Sequence, residues 1–568
     1  MNRRARVTSW LLALPLAAAC LPAADQRRIP GNAIELPPML VEESVSSAPW
    51  LYVRVGDTEF LSRCSASTTE SLVEAWLEKM QMVRLLVPGE FLAKADVPTV
   101  FVLYSQDLQQ TVSAEIQREL QAGAERTSPG DPRAQGVNVA PSMRLADRDM
   151  HASIAYIDEA LFDAAGLSIA PGHVRYLLDG RTPNLPGWLV EGFERTYRRA
   201  DFILEPITFG PVVWINSGES DAIAGDTNRP RAILPPGELF ASEDARAGQN
   251  RHPRRAEVRA STQELFVRWA LLSGNATREA LWKFAARAAE GPVTEEFFES
   301  CFGFGYSELR DRLSDYLPRA AREHKRIRPG RLPPLPPIDV QPATPGQIAR
   351  VRGEWERMAI GHVQRRLPEV REPYIAQARR TLRRAYDAGD RNPPLLATMG
   401  LCELEAGDNA AARPFLEEAV AQGVIRPRAY YELARLRFAD LQRDAAETTS
   451  FSFVKLAPVI ETLRRALPQS PPLPESYALL AEAWARCEVS PNTAEFAELE
   501  QGGRFFFRRP AVAYEIARAL SRHGRKAEAA ALLDACAGYT MDDPTRDGIA
   551  RLRAELTSLA ADRPDGNR

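Results

Sequence analysis

Apolar and polar residues alternate through the stretch "WLYVRVGDTEFLSRC" at 50–64, and this period of two predicts one or two half-buried strands. The next stretch, "TTESLVEAWLEKMQMVRLLV" at 68–87, spaces its apolar residues three and four apart and predicts an amphipathic helix. A short apolar run, "VPTVFVLYS", then reads as a buried strand. Beyond a polar stretch containing Gly and Pro near 122–136, "SMRLADRDMHASIAYID" predicts a hairpin of strands. From 259 the period changes again. "RASTQELFVRWALLSG" and "REALWKFAARAAEG" predict amphipathic helices, followed by "VTEEFFESCFGFGYSELRDRLSDYLPRA".

A proline-rich stretch at 328–345 predicts a linker, and the sequence after it is almost purely helical. The stretch "LLATMGLCELEAGDNAAARPFLEEAVAQG" puts Gly400 where two helices must approach, with Ala412, Leu416 and Ala419 at packing positions of the second helix. Leu433-Ala434 follow Met399-Gly400 at an offset of 34 residues, the tetratricopeptide period. Leu480-Ala481 and Ile516-Ala517, the latter with Ala529, Leu533 and Cys536, continue the pattern around an irregular insertion at about 441–470. The region 346–560 therefore resembles tetratricopeptide proteins. That resemblance implies helix pairs stacked into a solenoid whose concave side binds peptides or proteins. Tyr431 and Arg435 are the candidate binding residues of that groove; ordinary packing and a solvated charge are the alternative for both.

With 568 residues the chain exceeds one hydrophobic core, so two or more domains are expected. Lys plus Arg total 72 against 75 Asp plus Glu, a formal charge of −3, so no global field favours nucleic acid or an anionic membrane. Partner choice must be local. The basic "HPRRAEVRAS" at 252–261 has no interleaved aromatics and reads as a solvated loop. Residues 1–24 combine a basic start with a short apolar run interrupted by Pro15, which predicts a cleaved export signal, with 25–48 as a linker and 561–568 as a tail. Cys20 is a candidate for a lipid anchor, and no later stretch reads as transmembrane. Cys64, Cys301, Cys402, Cys487 and Cys536 are widely spaced and read as small buried residues, with a disulfide as the alternative in an exported protein.

Candidate chemistry gathers at 173–197, "HVRYLLDGRTPNLPGWLVEGFERTY". The string "LPGWLVEGFERTY" resembles the segment carrying the third zinc ligand in peptidase-MA-like domains of the gluzincin clan. Pro186, Trp188, Leu189, Glu191, Gly192 and Tyr197 match it, and the flanking order of elements over 49–327 is similar too. The resemblance implies an α+β gluzincin-like domain, with Glu191 at the ligand position. Upstream, the H-E-x-x-H position reads His173-Val174-Arg175-Tyr176-Leu177. Valine cannot act as the general base and leucine cannot bind metal, so His173 and Glu191 are remnants. The remaining histidines, His151, His252, His324, His362 and His523, have no ligand spacing between them. Arg175 and Arg195 are each candidates to pair with Glu191, the latter at i,i+4.

P-loop, dinucleotide-binding and G-x-S-x-G patterns are absent from the sequence. The expectation is an α+β gluzincin-like domain followed by an all-α tetratricopeptide-type solenoid. It would work without catalytic residues, metal or cofactor as an exported pseudopeptidase that binds a peptide or protein partner in the cell envelope or periplasm. Nucleic acid is not expected as a partner. The alternatives are a zinc peptidase with relocated ligands and a structural scaffold.

Overall fold

The computed structural model describes residues 49–105, 142–159, 172–201, 207–214, 233–241, 253–328, 332–444, 450–539 and 541–561. The export signal, Cys20, the linker expected at 25–48, His252 and nearly all of the tail lie outside these residues.

The alternation at 50–64 becomes a hairpin of β1 (Leu51–Val55) and β2 (Thr58–Ser62). Gly56 takes φ 58° in its two-residue loop, a conformation in which a side chain is strained. Helix α1 (Ala66–Leu86) starts at Ser65, whose hydroxyl accepts from the Thr68 amide. Strands β3 (Thr99–Ser105), β4 (Ser142–Ala146) and β5 (His151–Ile157) extend the sheet, with β4 and β5 forming the expected hairpin. β9 (Gln341–Pro342) pairs with β1, giving the order β4-β5-β3-β2-β1-β9. The β2–β3 and β3–β5 pairs are parallel and the others antiparallel.

Two faces of this sheet are buried by different parts of the chain. Val53, Phe60, Phe101 and Leu103 pack on Leu72, Val73 and Trp76 of α1. The opposite face, including Leu61, Val100, Val102 and Ile154, packs on Val351, Trp355 and Met358 of the first helix after the proline-rich stretch. The segment expected as a linker at 328–345 thus supplies a strand, and the region expected to follow the α+β part begins as one of its layers.

Between these elements lie α2 (His173–Asp179), α3 (Gly187–Arg198), α4 (Pro236–Phe240), α5 (Pro253–Leu272), α6 (Asn275–Glu290), α7 (Glu295–Phe302) and α8 (Tyr306–Ala320). A second sheet has the order β6 (Ala200–Asp201), β7 (Ile207–Phe209), β8 (Lys325–Ile327). The helical region runs α9 (Pro345–Arg366), α10 (Arg371–Asp387), α11 (Pro393–Ala406), α12 (Asn409–Ala421), α13 (Pro427–Asp444) and α14 (Phe453–Ala466). It continues with α15 (Pro474–Ala485), α16 (Thr493–Phe506), α17 (Pro510–Arg522), α18 (Lys526–Cys536) and α19 (Asp543–Ala561).

Pro345, at the end of the proline-rich stretch, starts a helix, as do prolines further along. Pro345, Pro393, Pro474 and Pro510 sit in first turns, where the missing amide costs nothing. The positions that the repeat spacing singled out are buried. A Cβ on Gly400 would come within 2.7 Å of Leu416, and Ala412, Leu416 and Ala419 are fully buried, as are Leu433, Ala434, Leu480, Ala481, Ile516 and Ala517. Cys64, Cys402, Cys487 and Cys536 are buried free thiols, and Cys301 is a half-buried one. No helix among the described residues is long and apolar enough to cross a membrane.

Candidate functional site

Helices α2 and α3 carry the suspect segment, and their hydrocarbon residues fix where its polar ones go. Val174 and Leu178 of α2 and Trp188, Leu189, Val190 and Phe193 of α3 enter one core, with Leu177 packed against it. Trp188 sits among Phe240, Phe266 and Phe284 at ring-centroid distances of 5.3, 5.5 and 5.7 Å, so its contribution is packing. Val174 and Leu177, at the positions where the resembled motif needs a base and a second ligand, serve the same core.

Gly192 lets α3 lie directly on α5. A Cβ there would meet the Gln263 carbonyl oxygen at 2.5 Å and Val267 at 2.7 Å. Backbone cannot swing aside, so Gly192→Ala must separate the helices. A loss of about 1–3 kcal/mol is expected in chemical denaturation; an unchanged midpoint would contradict this close approach.

On the outer side of α3, Glu191 is half-buried among guanidinium groups. One carboxylate oxygen accepts from Arg175 at 2.9 Å and the other from Arg195 at 2.8 Å, so both candidate pairings form together. Arg175 also donates to Glu194 at 2.7 Å and Asp179 at 3.2 Å, while Arg195 grips Glu257 through two nitrogens. Burial works to raise the Glu191 pKa, but the hydrogen bonds from Arg195 and Arg175 outweigh it and hold it below the usual carboxylate value. Glu194, nearly fully buried one turn on, is a member of this cluster that sequence reasoning missed; its spacing from Arg198 was the available signal.

His173 points elsewhere. It is buried against Trp76, edge to face at 4.6 Å, and its ring centroid lies 5.6 Å from that of His151. Tyr176 stacks on His151 at 4.6 Å. Two histidines without useful spacing in sequence are therefore neighbours in space. Both nitrogens of His151 and Nδ1 of His173 are buried without a hydrogen-bond partner. Burial lowers the His151 pKa to about 2, helped by His173 and Arg144, and lowers that of His173 to about 3, helped by Arg144. Both rings are neutral at ordinary pH. Among the described residues no group of three or more His, Cys, Asp or Glu side chains is placed to hold a metal ion.

Of the candidate groove residues on α13, Tyr431 meets the protein's own β4–β5 turn, while Arg435 pairs within its helix. Arg148 lies over the Tyr431 ring at 5.0 Å and faces Glu475 at 3.7 Å and Glu432 at 3.9 Å. Arg435 donates to Glu432 at 2.7 Å. Beside Arg148, Asp147 takes Arg357, Arg428 and, at 3.4 Å, Arg426, while Asp149 accepts the Arg428 amide at 2.8 Å. Glu354 of α9 completes this buried network with Arg426 at 2.8 Å and with Thr398. Further along, Asp96 and Ser470 exchange hydrogen bonds at 2.7 and 2.8 Å, and Arg508 donates to the Ala288 carbonyl. The helical region thus grips the α+β region at several points.

A cleft of about 510 Å³ lies between α12, α13 and α14, lined by Val420, Leu441, Val459, Arg437, Lys455 and Glu461 among others. No protein-family model matches the chain, and no curated protein matches it. The functional reading therefore rests on geometry and on the motifs themselves.

Proposed function

We propose that this protein is an exported, non-catalytic binding protein, in which a gluzincin-like region without peptidase chemistry is joined to tetratricopeptide-type repeats stacked as a solenoid. The observation that carries this reading is the Arg175 guanidinium on the Glu191 carboxylate. A zinc ligand must turn its carboxylate to the metal, whereas each oxygen of Glu191 faces an arginine guanidinium, whose positive charge opposes a cation there. Arg175 supplies there the positive charge that a metal would have supplied. Its partner would be a peptide or protein of the cell envelope. Because Tyr431 engages the internal turn and Arg435 pairs with Glu432 of its own helix, that partner is met elsewhere; the cleft between α12, α13 and α14 has the volume for a short stretch of peptide.

A second reading, in which the α+β region is a scaffold for the repeats, is favoured by the buried charge network joining the two. A zinc peptidase with relocated ligands makes the opposite experimental statement. Purified full-length protein is expected to hold well under one zinc per chain by elemental analysis, and to lack chelator-sensitive cleavage of casein. Stoichiometric zinc, or cleavage abolished by chelation and restored by zinc, would overturn the proposal.

A further inference from the structure

The end of α8, the following turn and β8 place five cations on the surface within ten residues. Arg319, Arg322, Lys325, Arg326 and Arg328 are all exposed, and Glu323 is the one carboxylate in the run. None of the five makes an ion pair among the described residues, whereas many exposed arginines elsewhere do. Arg312 faces Glu308, Arg443 faces Asp440 and Arg546 faces Asp543, each within one turn of its own helix. In a chain of net charge −3, this unpaired run is a local reversal of sign.

The shape of the surface narrows the partner. β8 is the outer strand of its sheet, but at three residues it is too short to recruit an acidic peptide as an added strand. The run from 319 to 328 has no Phe, Tyr or Trp on which nucleic-acid bases could stack. A protecting charge on an edge strand accounts for Lys325 or Arg326, but not for Arg319 and Arg322 on the helix end and turn. A planar anionic surface requires neither groove nor aromatic platform, only several cations free to reach it. We propose that this segment docks the protein on the anionic phospholipid headgroups of a membrane face. The proposal goes beyond the binding function above and stands whether or not Glu191 is a metal remnant.

Co-sedimentation of the full chain with lipid vesicles tests it. Binding is expected to vesicles of mixed phosphatidylglycerol and phosphatidylcholine, not to phosphatidylcholine alone, and to weaken with added salt. The triple variant Arg322→Ser, Lys325→Ser, Arg326→Ser removes only exposed charge, so its fold is retained. At about fivefold per cation, it is expected to bind roughly a hundredfold more weakly. Removing three paired cations instead, with Arg312→Ser, Arg443→Ser and Arg546→Ser, is expected to leave binding in place. The proposal fails if phosphatidylglycerol gives no preference, if the two triple variants behave alike, or if duplex DNA or polyglutamate binds more tightly than the anionic vesicles.

Discussion

Replacing Asp147 with alanine is expected to cost about 3–5 kcal/mol of folding stability, because it removes the carboxylate that three buried guanidinium groups share and leaves Glu354, Asp149 and Glu405 to balance them. The Asp147 side chain is almost fully buried in the β4–β5 turn and touches Arg357, Arg426 and Arg428. Burial alone would raise its pKa, but Arg357, Arg428 and Arg426 outweigh that and hold it well below the usual carboxylate range. The Arg357 side chain is fully buried and cannot turn to water when the carboxylate is removed. Denaturant unfolding followed by tryptophan fluorescence would measure the loss. The double variant Asp147→Ala, Arg357→Met should recover part of it, because the stranded charge goes too. A loss below about 1 kcal/mol for Asp147→Ala would mean that water reaches this cluster and that the two regions are not locked through it.

The second large effect is on pH dependence. His151 and His173 are neutral in the fold, with pKa values near 2 and 3 against an ordinary 6.5. Below pH 6.5 the unfolded chain takes up protons that the folded chain refuses, so stability is intact above that pH and is lost as pH falls toward 3. Each ring contributes up to about 1.4 kcal/mol per pH unit, or about 4 kcal/mol for the pair by pH 5. His362, lowered by burial and by Arg365, adds to the same trend. Carboxylates held low, such as Glu191 and Glu354, start to matter only below their own unfolded value of 4.5, while those that burial raises, such as Glu264 and Glu356, work in the opposite direction, so the difference between native and variant slopes from pH 6.5 to 5 reports the imidazoles. Denaturation midpoints across that range should fall steeply in the native protein. The fall should be much shallower in His151→Leu, His173→Phe, where the second change keeps a ring against Trp76. Equal slopes in both proteins would show that these rings titrate normally.

Periodicity was enough to find the local elements. Alternation located the β1–β2 hairpin, and the 34-residue offset located buried pairs such as Met399-Gly400 and Leu433-Ala434, because each signal is written in neighbouring residues. Arg175 and Arg195 were legible as partners of Glu191 for the same reason. Charge contacts across the molecule were not. Asp147 meets Arg357 and Arg428 over separations of 210 and 281 residues, and nothing in "LADRDMH" names those partners. His151 and His173 meet because the start of β5 lies beside the start of α2, a coincidence of topology rather than of spacing. Tyr431 lies where a groove residue was expected, but sequence could not reveal that Arg148 of the same chain would cover it.

The layer that α9 lays on the sheet sets an order on biosynthesis. All five strands from β1 to β5 have been made by residue 157, yet the face bearing Val100, Val102 and Ile154 stays bare until Val351, Trp355 and Met358 have followed, some two hundred residues later. Over that interval the growing chain carries an uncovered apolar face of the kind that aggregates or recruits chaperones. A product that stops at the proline-rich stretch would keep that face open for good, so the first half of this protein depends for its solubility on the half that comes after it.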